Sequence, residues 1–538
     1  MLSCLLLLVE SKLKGKFIQK FSEEAAKKSI YGHSTCYSSK MDVLFVGAEY
    51  QNVVQSGETS ETSRMGAIYV YKFNSEQNEY NLIQTIYPPT DQFLQNEATQ
   101  TIEKANNGWA EIRQMGSLLT VSEDGKQLIV GSPYSNTYRR SDQGSKVIVI
   151  DGTEYRFEKL EEVGAVLSYQ YNDNTGLWEY KHTFIPKPDD MLKKNGLGRI
   201  GKLSPSGNTL CIAYYNKKLA QRNTQGKIFT VKYDSSTKSW GSLEEAPLNE
   251  KIQTFFEEQK QYINYGSSIE FQSETMFYIG VQVLSGLKGK IGSNSYPGIQ
   301  VFNYNSLNGK WEWQKQILPI DPDQEKWSEY GTSIQLAGNS ESQILAVDMK
   351  SEDNSNKMII LKKNNGQFSK ENSQIFSFGL NFTSFSFYLG SSDKFISSST
   401  SYKEDDQAID NGAIRVYEIN DDKQYESSLD ALIPPEKDRH FSMLNFGCSV
   451  TWKDKDHAFI GAHHKEPGMG DPYDHPAVYL IELQIDNSKR NAIIIGCVVG
   501  GAVLITIIVL IIVYINHKKK KKNENNNEQL NPDKSYYL

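Results

Sequence analysis

The chain has 538 residues, 38% of them hydrophobic and 23% charged, with a formal net charge of −7. Eight of its 58 basic and three of its 65 acidic residues lie beyond position 488, so residues 1–488 carry −12, a balance that repels phosphate backbones and argues against a nucleic-acid partner. Five cysteines are too few for a disulfide-built scaffold, so the fold has to rest on an apolar core.

In chain order, residues 1–14 hold a short apolar run, LSCLLLLV (2–9), read as a short signal segment although no basic residue precedes it. Residues 15–21 (GKFIQKF) form a spare strand-like segment. A module then recurs: an aromatic or apolar residue plus Gly, a β-like run, a turn, an apolar run, and after a variable loop a third run that often opens Gly-Ala. The openers are Tyr31-Gly32, Met115-Gly116, Leu197-Gly198, Tyr265-Gly266, Tyr330-Gly331 and Phe446-Gly447, with Phe382-Thr383 as a degenerate member.

Second runs include LFVGAEY (44–50), LIVGSPY (128–134) and FIGAHH (459–464). Third runs such as GAIYVYKFN (66–74) and GAVLSYQYN (164–172) alternate apolar and polar residues, as in a strand buried mainly on one side. Fourth strands follow a turn in which Trp178, Trp240 and Trp311 stand seven residues after Tyr171, Tyr233 and Tyr304. The turn residues Asn, Asp and Gly suit a hairpin and carry no ligand signal. Seven four-stranded modules predict an all-β fold, a seven-bladed β-propeller over residues 15–486. Since the seventh module stops after its third strand, residues 15–21 are expected to close it as the fourth and remove a sheet edge.

The opener Phe446-Gly447-Cys448-Ser449-Val450, the run 128–133 (LIVGSP) and the run 66–71 (GAIYVY) resemble the FG-GAP repeats of the integrin α-subunit propeller. In that family some first-to-second-strand hairpins carry a calcium loop of closely spaced aspartates. The matching turns here, 122–125 (SEDG), 204–207 (SPSG) and 454–456 (DKD), lack the three or more oxygen side chains such a loop needs, so no calcium and no other cofactor is expected. The resemblance covers the propeller and not the remaining integrin domains, which argues against an integrin proper.

Residues 492–515 run 24 positions without a charge. At a rise of ~1.5 Å per residue this is long enough to cross a bilayer core of ~30 Å, and a single C-terminal transmembrane helix is predicted. Five lysines, 518–522, follow it, against Lys489 and Arg490 on the other flank in the linker region 487–491. The positive-inside bias puts the tail 516–538 in the cytosol and the propeller outside, in the plasma membrane or the secretory pathway. Gly496, Gly500 and Gly501 give a small-residue spacing for self-association of the helix. Tyr536-Tyr537-Leu538 is a candidate sorting signal, and Asn381 opens an Asn-Phe-Thr glycosylation sequon.

Strand alternation puts the second-to-third-strand loops and the fourth-to-first connections on one face. The third strand of the last module leads toward the membrane from the other face, so the long polar loops 51–65, 134–163, 285–297, 399–411 and 463–476 point outward, where recognition usually sits. An adhesion- or receptor-like protein binding a protein or glycan follows. The alternatives are a membrane-bound glycan enzyme with its site at the propeller axis, and a sorting or structural protein of the secretory system. No G-x-S-x-G, H-E-x-x-H or phosphate loop occurs, so no catalytic residue is assigned. The strongest metal-capable cluster is His463, His464, Glu466, Asp471, Asp474 and His475, three imidazoles and three carboxylates that could hold zinc. Cys36 and Cys448 fall on neighbouring inner strands and are read as two buried thiols in preference to a disulfide.

Overall fold

The computed structural model describes residues 13–485 apart from short stretches, the longest being 90–107, 215–225, 255–262, 284–297, 318–326, 378–384, 400–411, 435–443 and 465–475, and beyond 485 only residues 513–516 and 518–521. The chain divides into two compact units, one of residues 15–483 and one of residues 1–14 with 484–538. Asn381 lies outside the described residues, and so do residues 492–512 of the predicted membrane span. Among the described residues no helix is long and apolar enough to cross a membrane.

The larger unit is nearly all β. Sheet 1 comprises Tyr31–Ser38, Val43–Ala48, Ala67–Asn74 and Glu79–Ile86, hydrogen-bonded in that order. Sheet 2 repeats the order with Leu118–Val121, Gln127–Ser132, Ala165–Asn172 and Leu177–Phe184. Sheet 3 holds Ile200–Leu203, Thr209–Tyr214, Lys227–Asp234 and Ser239–Trp240. The first strands of sheets 4, 5 and 6 are Ile263–Ser273, Trp327–Ala337 and Phe385–Leu389, each opening another four-stranded meander. Sheet 7 joins Leu444–Trp452, His457–His464 and Ala477–Ile485 to Leu13–Phe21, which lies beside Ala477–Ile485 at the outer edge.

Cores lie between sheets. Val43 and Phe45 pack with Leu128 and Val130 of sheet 2, while their neighbours Leu44 and Val46 pack with Phe459, Val478 and Leu480 of sheet 7. Adjacent residues of one strand therefore serve different cores, and all six residues of Val43–Ala48 are buried. The third strands differ from the one-sided burial expected of them: Ala67–Tyr71 is buried at every position, and only the distal end reaches solvent. The first strands neighbour one another from sheet 1 through to sheet 6, and that of sheet 7 contacts both sheet 6 and the first strand of sheet 1. The cycle closes, giving the radial arrangement of a β-propeller.

The recurring motif is the joint between sheets. Gly66 forms a parallel bridge to Met115, Gly164 to Leu197 and Gly412 to Phe446, so the third-strand glycine of one sheet meets the opener of the next. Gly116 has φ +102°, and this turns its carbonyl onto Gly47, where a Cβ would collide with it. The hydroxyls of Ser34, Ser267 and Ser449 donate to the carbonyls of Gly116, Gly331 and Gly32 across three of the joints, sheet 1 to 2, 4 to 5 and 7 to 1, at 2.5, 3.0 and 2.7 Å.

The third-to-fourth-strand turns are equally regular. Asn74, Asn172, Asp234 and Asn305 each accept, through the side chain, the backbone N–H two residues on, at 2.8–2.9 Å. The left-handed position that follows is held by Asn78, Gly176, Lys238 and Gly309, and the closing pairs Tyr171–Trp178, Tyr233–Trp240 and Tyr304–Trp311 stand directly opposite each other.

One stretch read as a loop is structured. Trp109–Glu111, Asn136–Arg140, Lys146–Ile150 and Thr153–Leu160 form an inserted four-stranded sheet. Its small core is Trp109, Tyr138, Ile148, Ile150, Tyr155 and Phe157, with Trp109 stacked on Tyr138 at 4.8 Å. Cys36, Cys211 and Cys448 are free thiols. Burial pushes the Cys36 thiol up, and the Cys448 thiol up to about 12.

Candidate functional site at the loop end of the ring

Antiparallel order places the starts of first and third strands and the ends of second strands at one end of the ring. At this loop end the second strands of sheets 1 and 2 run out into Glu49-Tyr50 and Pro133-Tyr134. The Arg64 guanidinium stands 5.2 Å from the Tyr50 ring centroid, and Arg199, just before the first strand of sheet 3, stands 5.1 Å from that of Tyr134. Both are cation–π distances. Burial, with Glu49 and Tyr134 behind it, raises the Tyr50 phenol, and Arg64 and Arg199 pull it back. The four side chains thus share one electrostatic environment. Arg64 adopts φ +61°, and its carbonyl accepts the Gln114 N–H at 2.9 Å, which ties the sheet 1 loop to the segment entering sheet 2.

Toward sheet 7, Glu49 is 4% exposed, and its carboxylate lies 3.6 Å from His33 Nδ1. The His33 ring meets the buried His463 ring edge-on at 5.3 Å. Two rings stacked against two guanidiniums offer flat apolar surface and hydrogen-bond donors in one patch, and the buried Glu49 carboxylate lies next to them. Stacking and charge-assisted hydrogen bonding are the chemistry that such side chains can supply.

Of the metal-capable residues, His463 and His464 fall in the strand His457–His464, whereas Glu466, Asp471, Asp474 and His475 lie outside the described residues. Among the described residues no group of three His, Cys, Asp or Glu stands together as a metal site. The turns compared with calcium loops sit at the opposite end of the ring. There Ser122 Oγ donates to Asp124 at 2.6 Å, and Asp454 lies 2.9 Å from His457 Nδ1. The sequence reading did not single out Tyr50, Tyr134, Arg64 or Arg199. The available signal was that two second runs, LFVGAEY and LIVGSPY, both end in Tyr.

No family model matches the chain, and no curated protein matches it. Solved structures that it resembles include a β-propeller domain, a WD40 domain and a polysaccharide lyase. The Myceliophteria thermophila Cps50 (Swd1) propeller domain is 9% identical, with TM-score 0.45 over 88% of this chain and 100% of that one. The WD40 domain of SCAP from fission yeast is 8% identical, with TM-score 0.39 over 88% and 94%. The polysaccharide lyase Uly1 is 11% identical, with TM-score 0.39 over 87% and 100%. At TM-scores below 0.5 these likenesses carry no weight for function, and the propeller arrangement rests on the chain's own strand order and inter-sheet cores.

Proposed function

We propose that this is a single-pass membrane protein whose residues 15–486 form a seven-bladed β-propeller of the FG-GAP kind outside the cytosol. It binds a protein or glycan partner through the loop end. The uncharged run 492–515 and the lysines 518–522 support the anchor and its orientation. The repeated joint, opener against third-strand glycine, supports the FG-GAP reading. The observation that carries the binding role is the Tyr50–Arg64 and Tyr134–Arg199 pairing at the end of the ring where connections vary most.

The test is binding of the full-length protein, held in lipid nanodiscs, to arrays of glycans and of cell-surface ectodomains. Truncating an aromatic anchor at an interface costs about 2 kcal/mol, roughly 30-fold in affinity. Tyr50→Ala with Tyr134→Ala is therefore expected to abolish capture of whatever partner the parent protein retains. Capture undiminished in that variant would overturn the reading.

A further inference from the structure

The inserted sheet ends in an open edge. Its order runs Lys146–Ile150, Thr153–Leu160, Asn136–Arg140, Trp109–Glu111, so Lys146–Ile150 has a neighbour on one side only. Along it Ile148 and Ile150 turn into the small core of the insert, whereas Val147 and Val149 alternate with them and stand 39% and 57% exposed. We propose that this edge is a self-association site, at which two copies of the chain pair antiparallel about Ile148 and join their inserted sheets into one.

The direction of the backbone groups follows from the turn. Asp151 and Gly152, with φ +49° and +75°, make a two-residue hairpin loop, and its flanking residues Ile150 and Thr153 form a hydrogen-bonded pair. Alternation along the ladder then makes Ile148–Tyr155 a hydrogen-bonded pair, and Val147–Arg156 and Val149–Glu154 non-hydrogen-bonded ones. The Arg156 carbonyl agrees, since it accepts the Ser141 N–H at 3.0 Å on the side away from Val147. The N–H and C=O of Val147 and Val149 therefore point out of the sheet edge, and no described residue bonds them there. These groups fix the register of an added strand. A copy with Ile148 opposite Ile148 sets Val147 against Val149 twice, and both become hydrogen-bonded pairs.

The side chains suit the same register. Four valines, two from each copy, meet on one face, and Arg156 and Glu154, the cross-strand neighbours of Val147 and Val149, stand outside them, an apolar centre with a charged rim. Lys146 falls opposite Ile150 of the copy, one position from its Asp151, so opposite charges stand together at both ends of the ladder. The edges of the ring's own sheets are built differently. The outermost pairs of sheets 1, 2, 4 and 5 each carry a register irregularity, at Val70/Tyr71, Ser168/Tyr169, Val301/Phe302 and Ile360/Lys362, and a bulged edge resists pairing. Lys146–Ile150 pairs with Thr153–Leu160 without interruption and holds no proline and a single charge. A second copy is the occupant this favours, because Val147-Ile148-Val149 reads the same in both directions and so matches itself across a two-fold axis.

The experiment follows the full-length protein in detergent micelles by sedimentation velocity over a dilution series, with residue-resolved hydrogen exchange on the same samples. An edge this short buries less than a standard interface, so a reversible dimer is expected. Dilution is expected to speed amide exchange at Val147 and Val149 by about fivefold or more and to leave Ile148 unchanged, because only the first two gain partners from the copy. Val149→Lys sets two ammonium groups diagonally across the axis and is expected to weaken the dimer by about tenfold or more, whereas Val149→Thr, which keeps the β-branch, weakens it by less than about threefold. Val149 is exposed and lies outside the insert's core, so both variants keep the fold. Tyr50→Ala/Tyr134→Ala leaves the dimer intact, which separates it from the loop-end reading. A monomer at every concentration, a dimer indifferent to Val149→Lys, as one held by the membrane helix would be, or exchange at 147 and 149 that ignores dilution would overturn the proposal.

Discussion

The two ends of the ring differ in how much freedom the fold leaves them. At the hairpin end, connections between first and second strands run from two to six residues, and those between third and fourth strands from two to five. At the loop end, the connections between second and third strands run from four residues in sheet 5 to 32 in sheet 2, the latter supplying three of the four strands of the inserted sheet. Short turns are held to a few conformations by the strands they join, as the shared Asn or Asp turn shows. The loop end has no such constraint. Chemistry can vary there without disturbing the cores between sheets, which is consistent with the recognition proposed for that end.

The comparison breaks first if the ring is not the common support of both ends. Phe21, on the N-terminal strand, is 3% exposed and packs on Tyr71, Tyr80 and Phe459 at 5.1, 6.0 and 6.1 Å. Phe21→Ala is expected to cost roughly 3–5 kcal/mol, with loop-end and hairpin-end probes unfolding together in urea. Separate transitions would show that the ends are supported independently. Next in size is a change at one joint. A Cβ at Gly131 collides with the Gly198 carbonyl, so Gly131→Ala is expected to cost roughly 1–3 kcal/mol by the same measurement, and an unchanged midpoint would deny that the joint is tight.

The inserted sheet sharpens the contrast through pH. Burial alone would raise Glu111, but Lys159 at 3.0 Å and Arg113 at 2.8 Å outweigh it and hold the carboxyl below its ordinary value. A carboxyl depressed in the folded state contributes stability that is present above its unfolded value and lost as pH falls through the folded one. Residues 136–160 are thus expected to become pepsin-sensitive at the acid end of the carboxylate range before sheets 1 and 2 do, and Glu111→Gln removes most of that pH dependence. The smallest effect belongs to the hairpin end. Lys238 adopts φ +52° where Gly176 and Gly309 stand in the matching turns. Lys238→Gly is expected to stabilise by roughly 0.5–1 kcal/mol, seen as a small rise in melting temperature with loop-end binding unchanged.

What was legible in the sequence follows the same division. The openers, the Gly-Ala starts and the Tyr-to-Trp spacing mark strands and turns because the joints and hairpins admit few residues. The leader 15–21 is legible by its likeness to fourth strands, and Leu13–Phe21 lies beside Ala477–Ile485. Two-sided burial of the third strands was not legible, since their alternation of apolar and polar residues suits a strand buried mainly on one side, yet Tyr69 and Tyr71 are 2% and 3% exposed. The inserted sheet was overlooked although Asp151-Gly152, both left-handed, separates two alternating runs, Lys146–Ile150 and Thr153–Leu160. The loop-end patch was illegible for a different reason: Tyr50, Arg64, Tyr134 and Arg199 are far apart in sequence and follow no period, and the packing of sheets 1, 2 and 3 brings them together.

Amide hydrogen exchange across the N-terminal strand of the full-length protein tests the closed ring most directly. Residues 15–21 are predicted to be protected to the same order as residues 477–483, with both released in one cooperative step as urea is added. Exchange of 15–21 at the rate of an unstructured peptide, with 477–483 still protected, would contradict the closure on which both ends depend.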